Sequence, residues 1–199
     1  LLYYDRLSCV HVLQILLAQE RSKAYATSNY LRHLDVESVP KPVNESCRVK
    51  MAEWITTLCD ICRLSRSVVA TTFSYVDKIL SDTNNGEETM DVLRDREKYQ
   101  LVVIVCFYIA VKINEQKVLS PYILERLSRG RYTVQDIENE EQRILQVLDW
   151  RLFGPNAYHF VHHFLEMISP ARTTGSTANG NTCAPPAINE VVRRALVQV

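Results

Sequence analysis

Four ionisable side chains of this 199-residue chain stand on helix faces that their neighbours make apolar. Asp77 lies four residues after Phe73 and three before Leu80, so it shares the side of the helix that those two turn inward. A carboxylate facing a core needs a partner. Arg48 is the natural one, because a cation at a helix N-terminus is opposed by the macrodipole and is better held by a carboxylate of a neighbouring helix. The competing reading leaves Asp77 at the exposed edge of its stripe. Glu141 interrupts a second stripe, made by Ile137, Ile144, Leu145 and Leu148, and Lys112 closes a helix that is otherwise apolar. Singly, each is an ordinary surface or dipole-capping charge. As a pair they form a polar spot that a partner protein can grip through charge-assisted hydrogen bonds.

Other groups have chemical spacing without the company that chemistry needs. Cys59-Asp60-Ile61-Cys62 has zinc or dithiol spacing, but no second cysteine pair lies at a suitable distance and the motif sits inside a helical pattern, so core packing is expected. His159, His162 and His163 share a helix face, yet no third ligand group stands beside them, and a helix edge is expected. There is no P-loop, dinucleotide fingerprint or nucleophile elbow. Five glycines leave little material for phosphate cradles. No catalytic or metal-ligating residue is assigned, no cofactor is expected, and an enzyme is not expected.

Composition narrows the setting of these groups. With 47% hydrophobic residues and 23 basic side chains against 23 acidic, the chain suits one large or two small folded domains. It lacks the basic excess that phosphate contacts require, so no nucleic-acid partner is expected. The longest apolar run, Leu101 to Val111, is about half of the roughly 20 residues a membrane helix needs. No membrane association is expected. Asp5 and Arg6 precede the first apolar stretch without the shape of a secretory signal, and residue 1 reads as a fragment boundary. Six cysteines placed in helical patterns rather than a loop-rich framework point to a reducing compartment, nuclear or cytoplasmic.

The periodicity is helical throughout and predicts an all-α fold. Helices are expected over roughly 6–24, from near Ser46 to Cys62 with Asn44 or Ser46 as cap, from Ser65 through Leu80, and over 98–112. The helix over 98–112 is apolar nearly all round and must be surrounded by others. A short helix follows from Ser120-Pro121 to near Gly130, then one from the capping-box-like Thr133-Val134-Gln135-Asp136 through Trp150, then one over 157–168. Pro40 and Pro42 mark an extended link, and the polar stretch 81–94 reads as a solvated surface loop. Residues 169–186 read as a flexible linker, after which helical periodicity resumes at Ile188, Val191, Val192 and Leu196.

Several of these segments together carry a family signature. Cys47-Arg48-Val49-Lys50-Met51-Ala52-Glu53-Trp54, Tyr75-Val76-Asp77-Lys78-Ile79-Leu80, Tyr99-Gln100-Leu101-Val102, Ala110-Val111-Lys112-Ile113-Asn114-Glu115 and Ile144-Leu145-Gln146-Val147-Leu148-Asp149-Trp150 resemble the cyclin box over about residues 44–168. Leu13 to Glu20 and on to Tyr30 is similar to the N-terminal helix region of D-type cyclins. The linker insertion and divergent box are similar to those of cyclins from diatoms and related algae. The resemblance implies a cyclin fold: an N-terminal helix and extended link over 1–43, a five-helix box over 44–154, and over 155–199 the start of a truncated second box interrupted by the linker. It implies that Arg48 and Asp77 form an internal ion pair, that Leu101 and Trp54 belong to the box core, and that Lys112 and Glu141 bond to the backbone of a cyclin-dependent protein kinase. The implied role is a non-catalytic activator of that kinase in cell-cycle control.

The family's substrate-docking patch is degenerate. Trp54 and Gln100 match it, while Cys47, Lys50, Met51, Thr57 and Tyr99 stand where Met, Ile, Leu, Glu and Leu are typical. Substrates or inhibitors carrying Arg-x-Leu are therefore expected to bind weakly or not at all. A cyclin-fold transcription-related protein, or a scaffold without a kinase, is the alternative. The transcription-related class would show a basic face.

Overall fold

Ten consecutive residues, Val102 to Val111, are buried on every side of one helix. A helix loses its solvent face in this way only when others wrap it. In the computed structural model, which describes residues 2–33, 42–81, 86–116 and 119–168, this helix is α5 (Arg96–Asn114). Around it run α1 (Leu2–Glu20), α2 (Glu45–Cys62), α3 (Ser67–Leu80), α4 (Gly86–Arg94), α6 (Pro121–Leu127), α7 (Val134–Val147) and α8 (Ala157–Ile168). Two short 3-10 turns, Lys23–Tyr25 and Tyr30–His33, join α1 to the rest, and the described residues contain no strand. The fold is all-α. α5 packs against α2, α3, α4 and α7, α6 packs on α7, and α8 lies between α1 and α3.

Local chemistry sets most helix ends. Asn44 Oδ1 accepts from the Cys47 N–H at 3.1 Å, so Asn44 rather than Ser46 caps α2. Thr133 and Asp136 form a reciprocal capping box: Thr133 Oγ1 accepts from the Asp136 N–H at 3.2 Å, and Asp136 Oδ2 accepts from the Thr133 N–H at 2.9 Å. The shorter aspartate closes the box as a glutamate would. Ser120 and Pro121 open α6, and beyond its end Gly130 at φ +73° lets its N–H reach the Glu125 carbonyl at 2.8 Å.

Five boundaries differ from the sequence expectation, the first being α1, expected over roughly 6–24, which spans Leu2–Glu20 and gives way at Ser22 to the separate turn Lys23–Tyr25. Residues 86–94, expected in a surface loop, form α4. Its three acidic residues and poor overall hydrophobicity conceal an inward stripe in which Val92 and Leu93 are buried and Met90 packs beside them. Glu87 and Glu88 at its start and Arg94 at its end suit the dipole. α5 begins two residues before Lys98 because Asp95 Oδ1 accepts from the Glu97 N–H at 2.8 Å, and it continues to Asn114. α7 stops at Val147 rather than Trp150, since Asp149 and Trp150 adopt φ of 51° and 56°. α3 is counted from Ser67; Ser65 still accepts from the Ser67 N–H at 3.2 Å. Most of the expected extended link, Asn84-Asn85, the linker 169–186 and the helix around 188–196 lie outside the described residues.

Candidate functional site

The first constellation is an internal brace. Near the start of α2, Arg48 reaches across to Asp77 on α3 and forms a two-pronged pair, Nη1 to Oδ1 at 2.5 Å and Nη2 to Oδ2 at 3.0 Å. The side chains are 30% and 29% exposed, which resolves the open choice for Asp77 in favour of a half-buried, paired carboxylate. Phe73, one turn before Asp77, lies under the guanidinium with its ring centroid 4.6 Å from Cζ. Burial works against the charge of Arg48, but the hydrogen bonds and attraction of Asp77 outweigh it and hold its pKa above the ordinary arginine value.

A third member comes from outside the box helices. The Tyr30 hydroxyl accepts from Arg48 Nη1 at 2.9 Å and donates to Asp77 Oδ1 at 3.1 Å. Burial, and then the Asp77 charge, push its pKa up to about 12. Sequence reasoning named Tyr30 only as the end of a resembling stretch. Its role is a contact between positions 47 residues apart, and no local period signals that. Beside this cluster Tyr99 is buried, its hydroxyl without a hydrogen-bond partner among the described residues. Burial, followed by the proximity of Tyr30, drives the Tyr99 pKa well above the ordinary tyrosine range.

The second constellation has its cation toward solvent and its carboxylate largely covered. Lys112, in the last turn of α5, places Nζ 2.8 Å from Oε1 and 3.1 Å from Oε2 of Glu141 on α7. The ammonium also lies 4.1 Å from the Tyr108 ring centroid, one turn back on α5. Partial burial opposes the charge, yet Glu141 and then Tyr108 win and raise the lysine pKa. Lys112 is 40% exposed and Glu141 17%. An ammonium has three donors, so this pair retains hydrogen-bonding capacity toward a partner. At the end of the same helix Trp150 and Phe153 are exposed, an apolar surface beyond the position where α7 turns.

The expected docking-patch residues divide into two groups. Lys50, Met51, Trp54, Thr57 and Gln100 line one groove of about 800 Å³ between α2, α5 and the residues after α6. Arg129 and Arg131 complete its wall, with Glu53 as the acidic member. Cys47 packs against the core instead, and Tyr99 is buried beneath the surface. Trp54 serves both as groove wall and as packing on the core, and Leu101 is likewise half-buried against it.

Cys59 is buried at the end of α2, where burial raises its thiol pKa to about 12, as core packing requires. The histidines are less solitary than their spacing implied. Glu166 Oε2 lies 3.3 Å from His163 Nδ1 and 3.7 Å from His162 Nδ1, and Cys9 on α1 donates its thiol to the same oxygen at 3.3 Å. Glu166 stands on the same helix at spacings of three and four, so part of this group was readable in sequence; the cysteine was not.

The chain is thus an all-helical box around a buried central helix, with an internal Arg–Asp brace and a partly exposed Lys–Glu pair. The family model described as the cyclin N-terminal domain matches residues 11–153, and the chain belongs to the cyclin family. Among its relatives, cyclin-A1-4 of Oryza sativa subsp. japonica is 26% identical over 132 residues, covering 65% of this chain and 34% of the relative. The G1/S-specific cyclin-E of Drosophila melanogaster is 29% identical over 105 residues, covering 52% of this chain and 13% of the relative. The G2/mitotic-specific cyclin-2 of Medicago sativa is 28% identical over 124 residues, covering 62% and 35%. The chain thus spans about a third or less of the length of these relatives.

Proposed function

We propose that the protein is the regulatory subunit of a cyclin-dependent serine/threonine protein kinase, that it binds and activates this kinase, and that it acts in cell-cycle progression. The observation that carries the reading is the Lys112–Glu141 pair: a charged donor at the end of the buried helix, 40% exposed, held beside a charged acceptor on α7. Such a pair suits the backbone carbonyl and N–H groups of a partner loop. The exposed Trp150 and Phe153, in the segment that follows α7, supply apolar area. Activation on this reading is mechanical. The module docks on the mobile helix of the kinase, turns that helix's glutamate toward the catalytic lysine and draws the activation segment from the substrate cleft. No bond is made or broken by the cyclin itself.

The domain reading that goes with this places an N-terminal box at 44–154 and the beginning of a second at 155–199. The protein is nuclear or cytoplasmic. Its docking groove is altered toward rejection of Arg-x-Leu segments, because Lys50, Arg129 and Arg131 face a cationic peptide where Thr57 offers no carboxylate. Fluorescence anisotropy with an Arg-x-Leu peptide checks this; affinity equal to that of a mitotic cyclin would contradict it.

The experiment for the main reading is co-purification of the tagged protein from its own cells. A protein kinase is expected in the eluate, and Lys112→Ala combined with Glu141→Ala is expected to remove it while helical content by circular dichroism is kept. Unchanged kinase recovery would reject the interface. Recovery of no kinase favours the scaffold, and salt-sensitive DNA binding favours the transcription-related class.

A further inference from the structure

The contact between α1 and α8 brings three different metal-binding side chains to one point: Cys9 from α1, and His163 and Glu166 from α8. Their donor atoms all lie within 4.8 Å of one another. Two of the three separations, Cys9 Sγ to Glu166 Oε2 and His163 Nδ1 to Glu166 Oε2, are 3.3 Å. Metal–ligand bonds of about 2.0–2.3 Å at tetrahedral angles place neighbouring donors roughly 3.3–3.6 Å apart. Two of the three separations match, and the third, within 4.8 Å, closes to this range with a small side-chain adjustment.

His163 supplies a second, independent sign. Its Nδ1 is buried and makes no aligned hydrogen bond among the described residues, although the Glu166 oxygen is 3.3 Å away. That nitrogen and the Glu166 oxygen lie at a separation that one bound cation can span. His162 stands at the rim, its Nδ1 3.7 Å from the same oxygen, and its ring meets that of His163 edge-on at 5.3 Å.

We propose that Cys9, His163 and Glu166 bind one divalent transition-metal ion, Zn²⁺ by preference, and so fasten the N-terminal helix to α8. Mixed thiolate, imidazole and carboxylate donors fit Zn²⁺ and Co²⁺ rather than Mg²⁺ or Ca²⁺, which take oxygen ligands. The thiol of Cys9 gives its proton to solvent as the metal binds. The fourth position falls to water or to His162. This site lies apart from the Lys112–Glu141 surface, on elements that flank the box, and its role is to join two helices rather than to catalyse.

Titration of the full chain with Co²⁺, followed by competition with Zn²⁺, tests the assignment. One equivalent is expected, with a near-ultraviolet thiolate-to-cobalt charge-transfer band that Zn²⁺ abolishes. Cys9→Ser should remove the band, and His163→Gln should weaken Zn²⁺ binding by more than about 100-fold, beyond what loss of a group outside the coordination sphere typically costs. A test on the unsubstituted chain avoids any folding defect of the variants: Zn²⁺ should protect Cys9 from iodoacetamide, read peptide by peptide by mass spectrometry. A charge-transfer band that persists in Cys9→Ser, a cobalt spectrum with no thiolate band, or alkylation of Cys9 at an unchanged rate would each overturn the site and leave only a thiol–carboxylate hydrogen bond.

Discussion

Two ion pairs of this molecule join residues the same 29 positions apart, yet they are built for opposite ends. Arg48 and Asp77 use both prongs of the guanidinium on both carboxylate oxygens, accept a tyrosine hydroxyl as third partner, and lie over an aromatic ring. Lys112 and Glu141 meet through one flexible ammonium at a helix end, also over a ring, that of Tyr108. Three of the five guanidinium N–H groups are used in bonds whose directions fix the planar fork, whereas the ammonium turns two of its three donors to Glu141 with no such planar constraint. Geometry, rather than sign or count, separates a charge that ties two helices rigidly from one that stands at a helix end.

Substitutions separate the two pairs, and the largest effect belongs to the brace. Asp77→Ala leaves Arg48 half-buried without its carboxylate and should cost about 1–3 kcal/mol, less than a fully buried pair because water still reaches it. Urea denaturation measures this, and a cost equal to that of Glu141→Ala would erase the distinction between the pairs. Tyr30→Phe comes next, at about 0.5–1.5 kcal/mol for the lost hydroxyl bonds. It should also flatten the alkaline side of the stability curve. A phenol whose pKa rises from 10.0 to about 12 on folding contributes stability that is whole below pH 10 and lost as the pH climbs toward 12. Tyr75, Tyr99 and Tyr132 are raised too, so the slope should diminish without vanishing.

Tyr99→Phe sharpens the contrast within the brace itself. Its hydroxyl is buried and without a partner among the described residues, so removing it should leave stability unchanged or higher by up to about 1 kcal/mol. Opposite signs for the two tyrosines, measured under the same conditions, would show that Tyr30 alone belongs to the ionic cluster. Smallest of all is Lys112→Ala, for which the stability change should stay under about 1 kcal/mol, since an exposed lysine pair contributes little to folding.

The helices were legible wherever their signals are local. Apolar period, the Asn44 and Ser120 caps and the Thr133-Asp136 box each lie within a few residues of the element they start, so α2, α6 and the beginning of α7 follow from the chain directly. α4 was not legible, because nine residues rich in acid show only two buried positions and their partner surface is α5. The end of α7 was missed for the converse reason. Its apolar period continues through Trp150 although the backbone turns left-handed at Asp149. In the site, Asp77 and Glu141 stood out from the apolar stripes they share, Arg48 as the N-terminal cation Asp77 needs and Lys112 as the charge closing an apolar helix, and family resemblance supplied their roles. Tyr30, the burial of Tyr99 and the approach of Cys9 to His163 depend on long-range packing that no window of sequence contains.

The central claim is that the Lys112–Glu141 pair is an interaction surface rather than a structural bond. Its most direct measurement sets the Lys112→Ala, Glu141→Ala double variant beside Asp77→Ala and reads kinase recovery together with unfolding free energy. The double variant should retain stability and lose the kinase. Full kinase recovery from a folded double variant would contradict the claim.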